Sequence, residues 1–252
     1  MSGLFSLEGR RAMVTGANTG IGQGIAVALA AAGAEVLAVG RSSMAETEAA
    51  IRDAGGKVVA LKADLARTAS VAPMLDTAWE AHGPIDILVN NAGIIRRAAA
   101  VDFSEQDWDD VLDVNLKSVF LLSQAFARRV FAAERTGKIV NIASLMSFQG
   151  GIRIASYTAA KSGLAGLTRI LANEWAAKGI NVNAIAPGYI VTNNTEALRN
   201  DPERSTDILK RIPAGRWGSA QDIGGTAVYL ASDAANYVHG AILPVDGGWL
   251  AR

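Results

Sequence analysis

Seven short apolar runs alternate with longer segments of helical periodicity, and this alternation constrains the fold more than any other feature of the chain. Most of the runs are apolar almost throughout, as expected for strands buried on both faces of a parallel sheet. The alternation predicts an α/β fold, a doubly wound parallel sheet of about seven strands with helices on both faces. The predicted strands are 12–15, 35–39, 58–63, 86–90, 138–143, 181–186 and 241–245. The predicted helices are 21–32, 44–54, 69–82, 105–133, 156–178 and 219–231.

Residues 189–216 interrupt this rhythm, because they are polar and contain no run that could form a strand. Long segments of this kind inside a compact domain are often functional. No repeat or linker marks a second domain, so we expect one domain over 1–252 with a substrate-covering segment at about 189–216.

The composition argues against several classes of function. The 24 basic and 24 acidic residues balance, so neither a nucleic-acid nor a membrane partner is expected. The absence of cysteine excludes disulfides, thiolate nucleophiles and Cys-ligated zinc. His82 and His239 are interpreted as loop or surface residues, so no metal site is expected. The N-terminal residues lack the pattern of a secretory signal, and a cytoplasmic location is expected.

A glycine-rich turn follows the first predicted strand, with Gly16, Gly20 and Gly22 spaced as G-x-x-x-G-x-G. Glycine permits a tight turn and lets backbone N–H groups approach a diphosphate closely. A helix is predicted directly after the turn, where its N-terminus would also face the diphosphate. The turn therefore predicts a dinucleotide site.

A second constellation predicts acid–base chemistry. Tyr157 and Lys161 stand four residues apart, which places both side chains on one face of a helix. A nearby ammonium favours the phenolate and lowers the pKa of the tyrosine. Ser144, thirteen residues before Tyr157, could hold the oxygen of an alcohol or carbonyl while the phenol moves the proton. A nicotinamide in the dinucleotide site would carry the hydride.

Together these motifs resemble the short-chain dehydrogenase/reductase family over essentially the whole chain. The matching segments are TGANTGIG at 15–22, NNAG at 90–93, Asn115, Ser144, YTAAK at 157–161 and PG at 187–188. The resemblance implies a single Rossmann-type domain and catalytic residues Asn115, Ser144, Tyr157 and Lys161. Tyr157 would act as acid and base, Lys161 would also bind the nicotinamide ribose, and Asn115 would hold a water that connects Lys161 to solvent.

The resemblance also implies the cofactor site. At the end of the second strand Gly40 stands where an acidic residue would mark NAD, and Arg41 could pair with a 2′-phosphate. NADP(H) is therefore favoured, with NAD(H) as the alternative because the glycine turn lacks a basic residue. Asp64 would receive the adenine, or else cap a helix. The implied cofactor-binding residues are Gly16, Asn18, Thr19, Gly20, Ile21, Gly22, Arg41, Ser42, Asp64, Leu65, Asn91, Ala92, Gly93, Tyr157, Lys161, Pro187, Gly188, Ile190 and Thr192.

Particular segments narrow the resemblance to the sugar-acid branch of the family, the 2-dehydro-3-deoxy-D-gluconate 5-dehydrogenases. They lie at 94–97, 147–153, 189–195, 212–218 and 245–252. A carboxylate substrate suits an arginine fork, and polar side chains suit sugar hydroxyls. The predicted substrate-binding residues are Arg96, Ser144, Gln149, Arg153, Tyr157 and Asn194, with Arg97 and Arg216 as further cations and Thr195 as a further hydroxyl near the site. Each arginine could instead serve a surface or a subunit contact.

Several alternatives stay open on the sequence. Gluconate, an unsaturated uronate product or a 3-oxoacyl group on acyl carrier protein could be the substrate. A nucleotide-sensing scaffold is a non-enzyme alternative, disfavoured because such proteins typically lose the tyrosine or the lysine. Apolar residues on more than one face of the helices at 105–133 and 156–178, and the C-terminal residues 247–250, predict a homotetramer in the resembled family's arrangement.

Overall fold

The computed structural model describes residues 3–252. Seven parallel strands form one sheet in the order β3-β2-β1-β4-β5-β6-β7. The strands are β1 Arg11–Thr15, β2 Glu35–Gly40, β3 Lys57–Lys62, β4 Ile87–Asn90, β5 Gly137–Ile142, β6 Ile180–Pro187 and β7 Ile242–Val245. All seven predicted strands exist, each displaced by no more than one residue at either end. The predicted doubly wound α/β fold is confirmed.

Nine α-helices occur in the described part of the chain. They are α1 Gly20–Ala31, α2 Ala45–Asp53, α3 Val71–His82, α4 Glu105–Leu112, α5 Ser118–Ala132, α6 Ala155–Trp175, α7 Glu196–Arg199, α8 Pro202–Arg211 and α9 Ala220–Ala231. In residues 3–252 no helix is long and apolar enough to cross a membrane.

The helices cover the two faces of the sheet and bury two separate cores. Helices α1, α2 and α9 bury residues such as Ile25 and Ile223 against one face. Helices α3, α5 and α6 bury residues such as Leu75, Phe126 and Leu171 against the other. The strands supply side chains to both cores, and complete burial of each large apolar side chain stabilises the fold by about 1.5–3 kcal/mol. This burial on both faces accounts for the nearly continuous apolar runs of the sequence.

The helix predicted at 105–133 is confirmed over 105–132, with one departure from α-helical geometry inside it. Helix α4 ends at Leu112, a π-helical turn spans Asp113–Lys117, and α5 begins at Ser118. A π turn inserts one residue without breaking the apolar periodicity, so the sequence pattern does not reveal it. Asn115 lies in this turn and is completely buried.

The segment 189–216 contains two helices that the sequence analysis missed. Helix α8 has a polar sequence, and only Ile208 of its ten residues is buried, so few apolar residues mark it in the sequence. Its start is nevertheless marked, because the Asp201 side chain accepts a hydrogen bond from the Arg204 N–H and Pro202 follows the cap. These start signals could have located α8.

Candidate active site

An open cleft of about 540 Å³ lies at the carboxyl ends of the strands, between β1 and β4. The strand order reverses at this point, which is where parallel α/β sheets place their ligands. Most of the predicted site residues line the cleft. They are Gly16, Asn18, Thr19, Gly20, Ile21, Gly22, Arg41, Asp64, Leu65, Asn91, Ala92, Gly93, Arg96, Ser144, Tyr157, Lys161, Pro187, Gly188, Ile190, Thr192 and Asn194. The predicted residues outside its lining are Ser42, Arg97, Asn115, Gln149, Arg153 and Arg216.

The glycine turn is fastened to the end of β4 by a compact set of hydrogen bonds. The Thr15 hydroxyl accepts hydrogen bonds from the backbone N–H groups of Asn91 and Ala92, at 3.0 and 3.1 Å. The Asn91 side-chain amide donates in return to the Thr15 carbonyl, at 2.9 Å, and to the Gly16 carbonyl, at 3.2 Å. These bonds join two strand ends and fix the backbone that faces the cleft.

The glycine turn leaves no space for side chains at Gly16 and Gly22. Gly16 has φ +64°, a region that side chains disfavour, and a Cβ there would lie 2.9 Å from the Ala92 Cα. A Cβ at Gly22 would collide with the Gly16 carbonyl oxygen. The backbone can therefore approach a diphosphate at the N-terminus of α1, and these residues fit a dinucleotide.

Gly40 and Arg41, predicted to lie near the adenosine, line one end of the cleft. A Cβ at Gly40 would collide with the end of the Met44 side chain and lie 3.1 Å from the Asn18 Oδ1 atom. The Asn18 side-chain amide donates to the Ser42 hydroxyl at 2.9 Å, so this serine braces the glycine turn. Arg41 is exposed and belongs to no ion pair in residues 3–252. The Asp64 carboxylate lines the cleft and accepts a hydrogen bond from the Ala66 N–H, so it caps no α-helix.

The three predicted reacting residues converge at the opposite end of the cleft. Ser144 lies two residues after the end of β5, and its hydroxyl accepts a hydrogen bond from the Met146 N–H at 3.2 Å. Tyr157 and Lys161 lie in the first two turns of α6. The Lys161 ammonium is 5.7 Å from the centre of the Tyr157 ring and donates to the Ile142 carbonyl at 2.6 Å.

Burial dominates the protonation of this group. It raises the pKa of Tyr157, whereas a hydrogen bond with Ser144 and the charge of Arg97 lower it. Burial also lowers the pKa of Lys161 to about 8. Lys161 was predicted to lower the pKa of the phenol, but the charge that lowers it in this structure is that of Arg97. Arg97 was predicted only as a further cation, and it lies close enough for its charge to act on Tyr157.

Asn115 lies behind this group rather than in the cleft. Its side-chain amide donates to the Ile94 carbonyl at 2.9 Å, and its oxygen accepts from the Ile94 N–H at 2.8 Å. Both polar atoms of the side chain are therefore engaged with the segment that follows β4. The π turn gives Asn115 this orientation and ties α4 and α5 to the edge of the cleft.

The two neighbouring arginines of the segment after β4 have different surroundings. Arg96 lines the cleft but pairs with Asp107 at 3.0 Å and Asp110 at 3.4 Å. Arg97 is exposed and donates one hydrogen bond to the Asn194 carbonyl at 3.0 Å. Arg97 therefore keeps donors for an anion, whereas two carboxylates already neutralise Arg96, the arginine that the sequence analysis chose.

Three other residues that were predicted near the substrate lie outside the cleft: Gln149, Arg153 and Arg216. The Gln149 side chain accepts a hydrogen bond from the Trp249 indole at 3.2 Å and does not line the cleft. Arg153 is exposed outside the cleft, with a left-handed backbone at φ 62°. Both terminal nitrogens of Arg216 bond to Asp222 at 2.8 Å, so its charge is paired.

The turn after Ile190 is held closed by Thr195. The Thr195 hydroxyl donates to the Ile190 carbonyl at 2.7 Å and accepts from the Thr192 N–H at 3.1 Å. A Cβ at Gly20 would lie 3.2 Å from the Thr192 methyl group, so this turn reaches the glycine turn across the cleft. Thr195 also lines the cleft, although it was predicted only as a further hydroxyl near the site.

Comparison with known proteins identifies the family. A family model described as enoyl-(acyl carrier protein) reductase matches residues 16–250. The chain is 55% identical to the 2-dehydro-3-deoxy-D-gluconate 5-dehydrogenase of Escherichia coli over 248 residues, which cover 98% of each chain. The chain belongs to the short-chain dehydrogenase/reductase family. The predicted family is confirmed, and the chain is an oxidoreductase.

Two further relatives have related descriptions. The gluconate 5-dehydrogenase of Gluconobacter oxydans is 43% identical over 247 residues, which cover 97% of this chain and 96% of the relative. A crystal structure from Agrobacterium tumefaciens, described as a 2-deoxy-D-gluconate 3-dehydrogenase with bound NADP, is 64% identical and has a TM-score of 0.95 over the whole of both chains.

In residues 3–252 no group of three or more His, Cys, Asp or Glu residues could hold a metal ion.

Proposed function

We propose that the chain interconverts a hydroxyl and a ketone of a sugar acid with NADP(H), and that the substrate is 2-dehydro-3-deoxy-D-gluconate reacting at C5. The observation that carries this proposal is that Ser144, Tyr157 and Lys161 line one end of the cleft together, where Ser144 and the charge of Arg97 act on the Tyr157 phenol. The relative from Escherichia coli, at 55% identity over nearly the whole of both chains, supports the choice of substrate.

Four side chains and the cofactor divide the chemistry between them. In reduction Tyr157 donates its proton to the carbonyl oxygen, and in oxidation it accepts the proton of the alcohol. Ser144 holds that oxygen through its hydroxyl and polarises the carbonyl. Lys161, whose pKa is lowered to about 8, can exchange a proton near neutral pH and would hold the nicotinamide ribose. Asn115 holds the segment that follows β4, behind these residues. A nicotinamide, when bound, supplies or accepts the hydride.

The choice of NADP(H) rests on the adenosine end of the cleft. Met44 and Asn18 fill the space beside Gly40, so an acidic side chain there would need them to move. Arg41 offers an unpaired guanidinium at the same place, and such a group binds a 2′-phosphate well. The Agrobacterium tumefaciens relative was crystallised with NADP. NAD(H) would bind more weakly, because it lacks the 2′-phosphate that would pair with Arg41.

Arg97 and Asn194 form the substrate end of the proposed site. Arg97 holds the turn at residues 190–195 through the Asn194 carbonyl and retains donors that suit a carboxylate. The segment 189–216 would cover the substrate from this side. A cationic, polar wall suits a sugar acid better than a long acyl chain.

The test is steady-state oxidation and reduction of a panel with both cofactors. The panel contains 2-dehydro-3-deoxy-D-gluconate, its 5-keto form, gluconate, 2-deoxy-D-gluconate and acetoacetyl thioester. We expect the highest kcat/KM on 2-dehydro-3-deoxy-D-gluconate and its 5-keto form with NADP(H). NMR of the product assigns the reacting carbon, which separates C5 chemistry from the C3 chemistry named for the Agrobacterium tumefaciens relative.

Other outcomes would redirect the proposal. Turnover of the thioester alone would move the enzyme to acyl-carrier chemistry, and binding of nucleotide without turnover of any carbonyl would favour a sensing role. The Arg41→Ala variant tests the cofactor, with an expected loss of NADPH affinity of at least tenfold and little change for NADH. Equal losses for both cofactors would contradict the role of Arg41.

A homotetramer is also proposed, in the arrangement predicted from the family resemblance. Helices α5 and α6 form an outward groove with partly exposed Phe120 and Ile170, although Val119, Leu164 and Leu171 are buried within the chain. At the far side, β7 is an edge strand with a free hydrogen-bonding side. Light scattering tests the mass, and a monomer would contradict this assembly. A cytoplasmic location is proposed as well.

A further inference from the structure

The C-terminal turn, residues 246–252, packs against helix α8 and not against the main cores. The Asp246 carboxylate fixes the turn by accepting hydrogen bonds from the N–H groups of Gly248 and Leu250, at 2.8 and 2.9 Å. The Arg252 guanidinium donates to the Lys210 carbonyl at 3.3 Å, next to the end of α8. The turn is thus attached to the last residues of α8, inside the segment proposed to cover the substrate.

Trp249 lies at the centre of this contact and is only 4% exposed. The centre of its ring is 4.7 Å from that of Tyr189, and the Arg211 guanidinium carbon is 4.0 Å from the centre of its ring. Both neighbours belong to the covering segment, so the indole packs on its beginning and on its end. A cation over an indole ring adds to the attraction of this packing.

One polar bond connects Trp249 to the catalytic loop. The indole N–H donates to the Gln149 side-chain oxygen at 3.2 Å, across 100 residues of sequence. The Gln149 N–H in turn bonds to the Leu145 carbonyl at 3.1 Å, directly after Ser144. The bond therefore runs from the C-terminus to the loop that carries the serine.

The surrounding cluster is small and separate from the two cores. Its buried members are Leu145, Met146, Ile208, Ile212 and Trp249, and Tyr157 packs against them. Leu145 and Met146 come from the catalytic loop, whereas Ile208 and Ile212 come from α8 and its end. Trp249 is the only residue of the C-terminal turn that is buried within this cluster.

We propose that Trp249 is a positioning residue that sets the substrate site. Through Gln149 it orients the loop after Ser144, and through Tyr189 and Arg211 it holds the covering segment against that loop. Its loss would loosen the substrate end of the cleft and leave the glycine turn unchanged. The proposal rests on the proposed function insofar as a sugar-acid substrate is used to measure it. The proposal also makes Gln149 the hydrogen-bond partner of Trp249 and not a residue that binds a sugar hydroxyl.

A double-mutant cycle tests this assignment. Trp249→Phe removes the indole N–H and keeps an aromatic ring, and Gln149→Met removes the acceptor. We expect each variant to raise the KM for the sugar acid about three- to tenfold, since a single neutral hydrogen bond contributes a factor of this size. The KM for NADPH should stay within about twofold. The double variant should be no worse than the poorer single variant, because both changes remove the same bond.

The controls separate positioning from general destabilisation. Trp79→Phe makes the same change on α3, in the core on the far side of the sheet, and should lower Tm without changing either KM. Gln149→Glu keeps an acceptor for the indole and should restore the low KM. If Trp249→Phe left the substrate KM unchanged while Gln149→Met raised it, Gln149 would bind the substrate directly and the proposal would be overturned. Additive effects in the double variant would also overturn it.

A second measurement needs no substrate, so it stands if the proposed function fails. Wild-type turnover of the sugar acid is measured first, and its absence would contradict the proposed function alone. Trypsin can cut the covering segment at Arg204, Lys210 and Arg211. We expect Trp249→Phe to be cut there several times faster than wild type and Trp79→Phe to be cut at the wild-type rate. Equal rates for wild type and Trp249→Phe would overturn the proposal that Trp249 holds the covering segment in place.

Discussion

The half of the cleft that we propose for the dinucleotide presents mainly backbone N–H groups to its ligand, whereas the half that we propose for the substrate presents side chains. In the first half, Asn91 and the Thr15 hydroxyl bond to backbone groups of neighbouring strand ends. In the second, Arg97 meets Asn194, and Trp249 meets Gln149 across 100 residues. Substitutions should therefore be able to damage one half without the other.

The difference has a physical origin. A diphosphate is bound by N–H groups that any sequence possesses, provided that glycines let the chain approach. A sugar acid is distinguished by side chains whose direction and pairing decide what they can bind. The first half should thus be sensitive to added volume, and the second to lost polar partners.

The largest expected effect is at the junction of the two halves. Tyr157→Phe removes the proton donor and should lower kcat by about a thousandfold or more, within the range of general acid–base catalysis. The ring remains, so NADPH affinity should stay within about twofold of wild type. Fluorescence titration of NADPH and single-turnover kinetics measure the two quantities. A large loss of NADPH affinity would mean that the halves are not separable at this residue.

The dinucleotide half can be tested by adding one methyl group. Gly22→Ala would place a Cβ against the Gly16 carbonyl oxygen, so the turn would have to move. We expect the Kd of NADPH to rise at least tenfold, because several backbone N–H bonds to the phosphates depend on that geometry. Calorimetry with NADPH measures the change.

Gly225→Ala is the matched control for that variant. Gly225 lies in α9, and no atom lies within 4 Å of the position of its added Cβ. Alanine there should stabilise the helix by about 0.5–1 kcal/mol and leave the Kd of NADPH unchanged. Wild-type affinity in Gly22→Ala would show that the turn tolerates the added volume and would contradict the comparison.

The same contrast explains which features could be predicted from the sequence and which could not. The strands and the glycine turn follow from periodicity and spacing, because buried strands and backbone phosphate sites leave a local pattern. The choice between Arg96 and Arg97 has no local signal. Asp107 and Asp110 neutralise Arg96, and this pairing becomes visible only when α4 is placed beside the segment after β4. The π turn at Asn115 also leaves no local signal, and its bonds to Ile94 join residues 21 positions apart in the chain.

The substrate half can be tested on these two arginines. Arg97→Met should raise the KM for the sugar acid about tenfold, as loss of a charge-assisted bond of about 1.5–3 kcal/mol would. It should also raise the pKa of Tyr157, because the charge of Arg97 lowers that pKa. Oxidation needs the phenolate, so the rise of kcat/KM with pH should move to higher pH. Initial rates from about pH 6 to 10, which span the approach to the ordinary tyrosine pKa, measure the shift.

Arg96→Met is the control for Arg97→Met. The Arg96 side chain is 42% exposed and paired with two carboxylates, so its loss should cost less than about 1 kcal/mol of stability. The pH profile and the KM for the sugar acid should match wild type. A larger effect from Arg96→Met than from Arg97→Met would reverse the assignment made from the structure.

The smallest expected effect concerns a lysine outside both halves. Lys138, at the start of β5, donates to the side-chain oxygens of Asn181 and Asn236, at 2.9 and 2.7 Å. Its burial lowers its pKa to about 8, as burial does for Lys161 of α6, which bonds to the far end of the same strand. In both cases a buried ammonium faces oxygens that carry no net charge, although the Arg10–Asp233 pair also acts on Lys138.

These two lysines predict how stability depends on pH. Between about pH 8 and 10 each lysine is neutral in the folded chain and protonated in the unfolded chain. The free energy of unfolding should therefore rise with pH, by at most about 1.4 kcal/mol per pH unit for each lysine. Lys138→Met should reduce this slope by about half and leave kcat unchanged, because Lys138 lies at the opposite end of the sheet from the cleft. The slope is the relevant quantity, since methionine leaves the oxygens of Asn181 and Asn236 without their donor and lowers stability at every pH. Urea denaturation at several pH values measures it. An unchanged slope would mean that Lys138 keeps an ordinary pKa, and a loss of kcat would mean that the two ends of β5 are coupled.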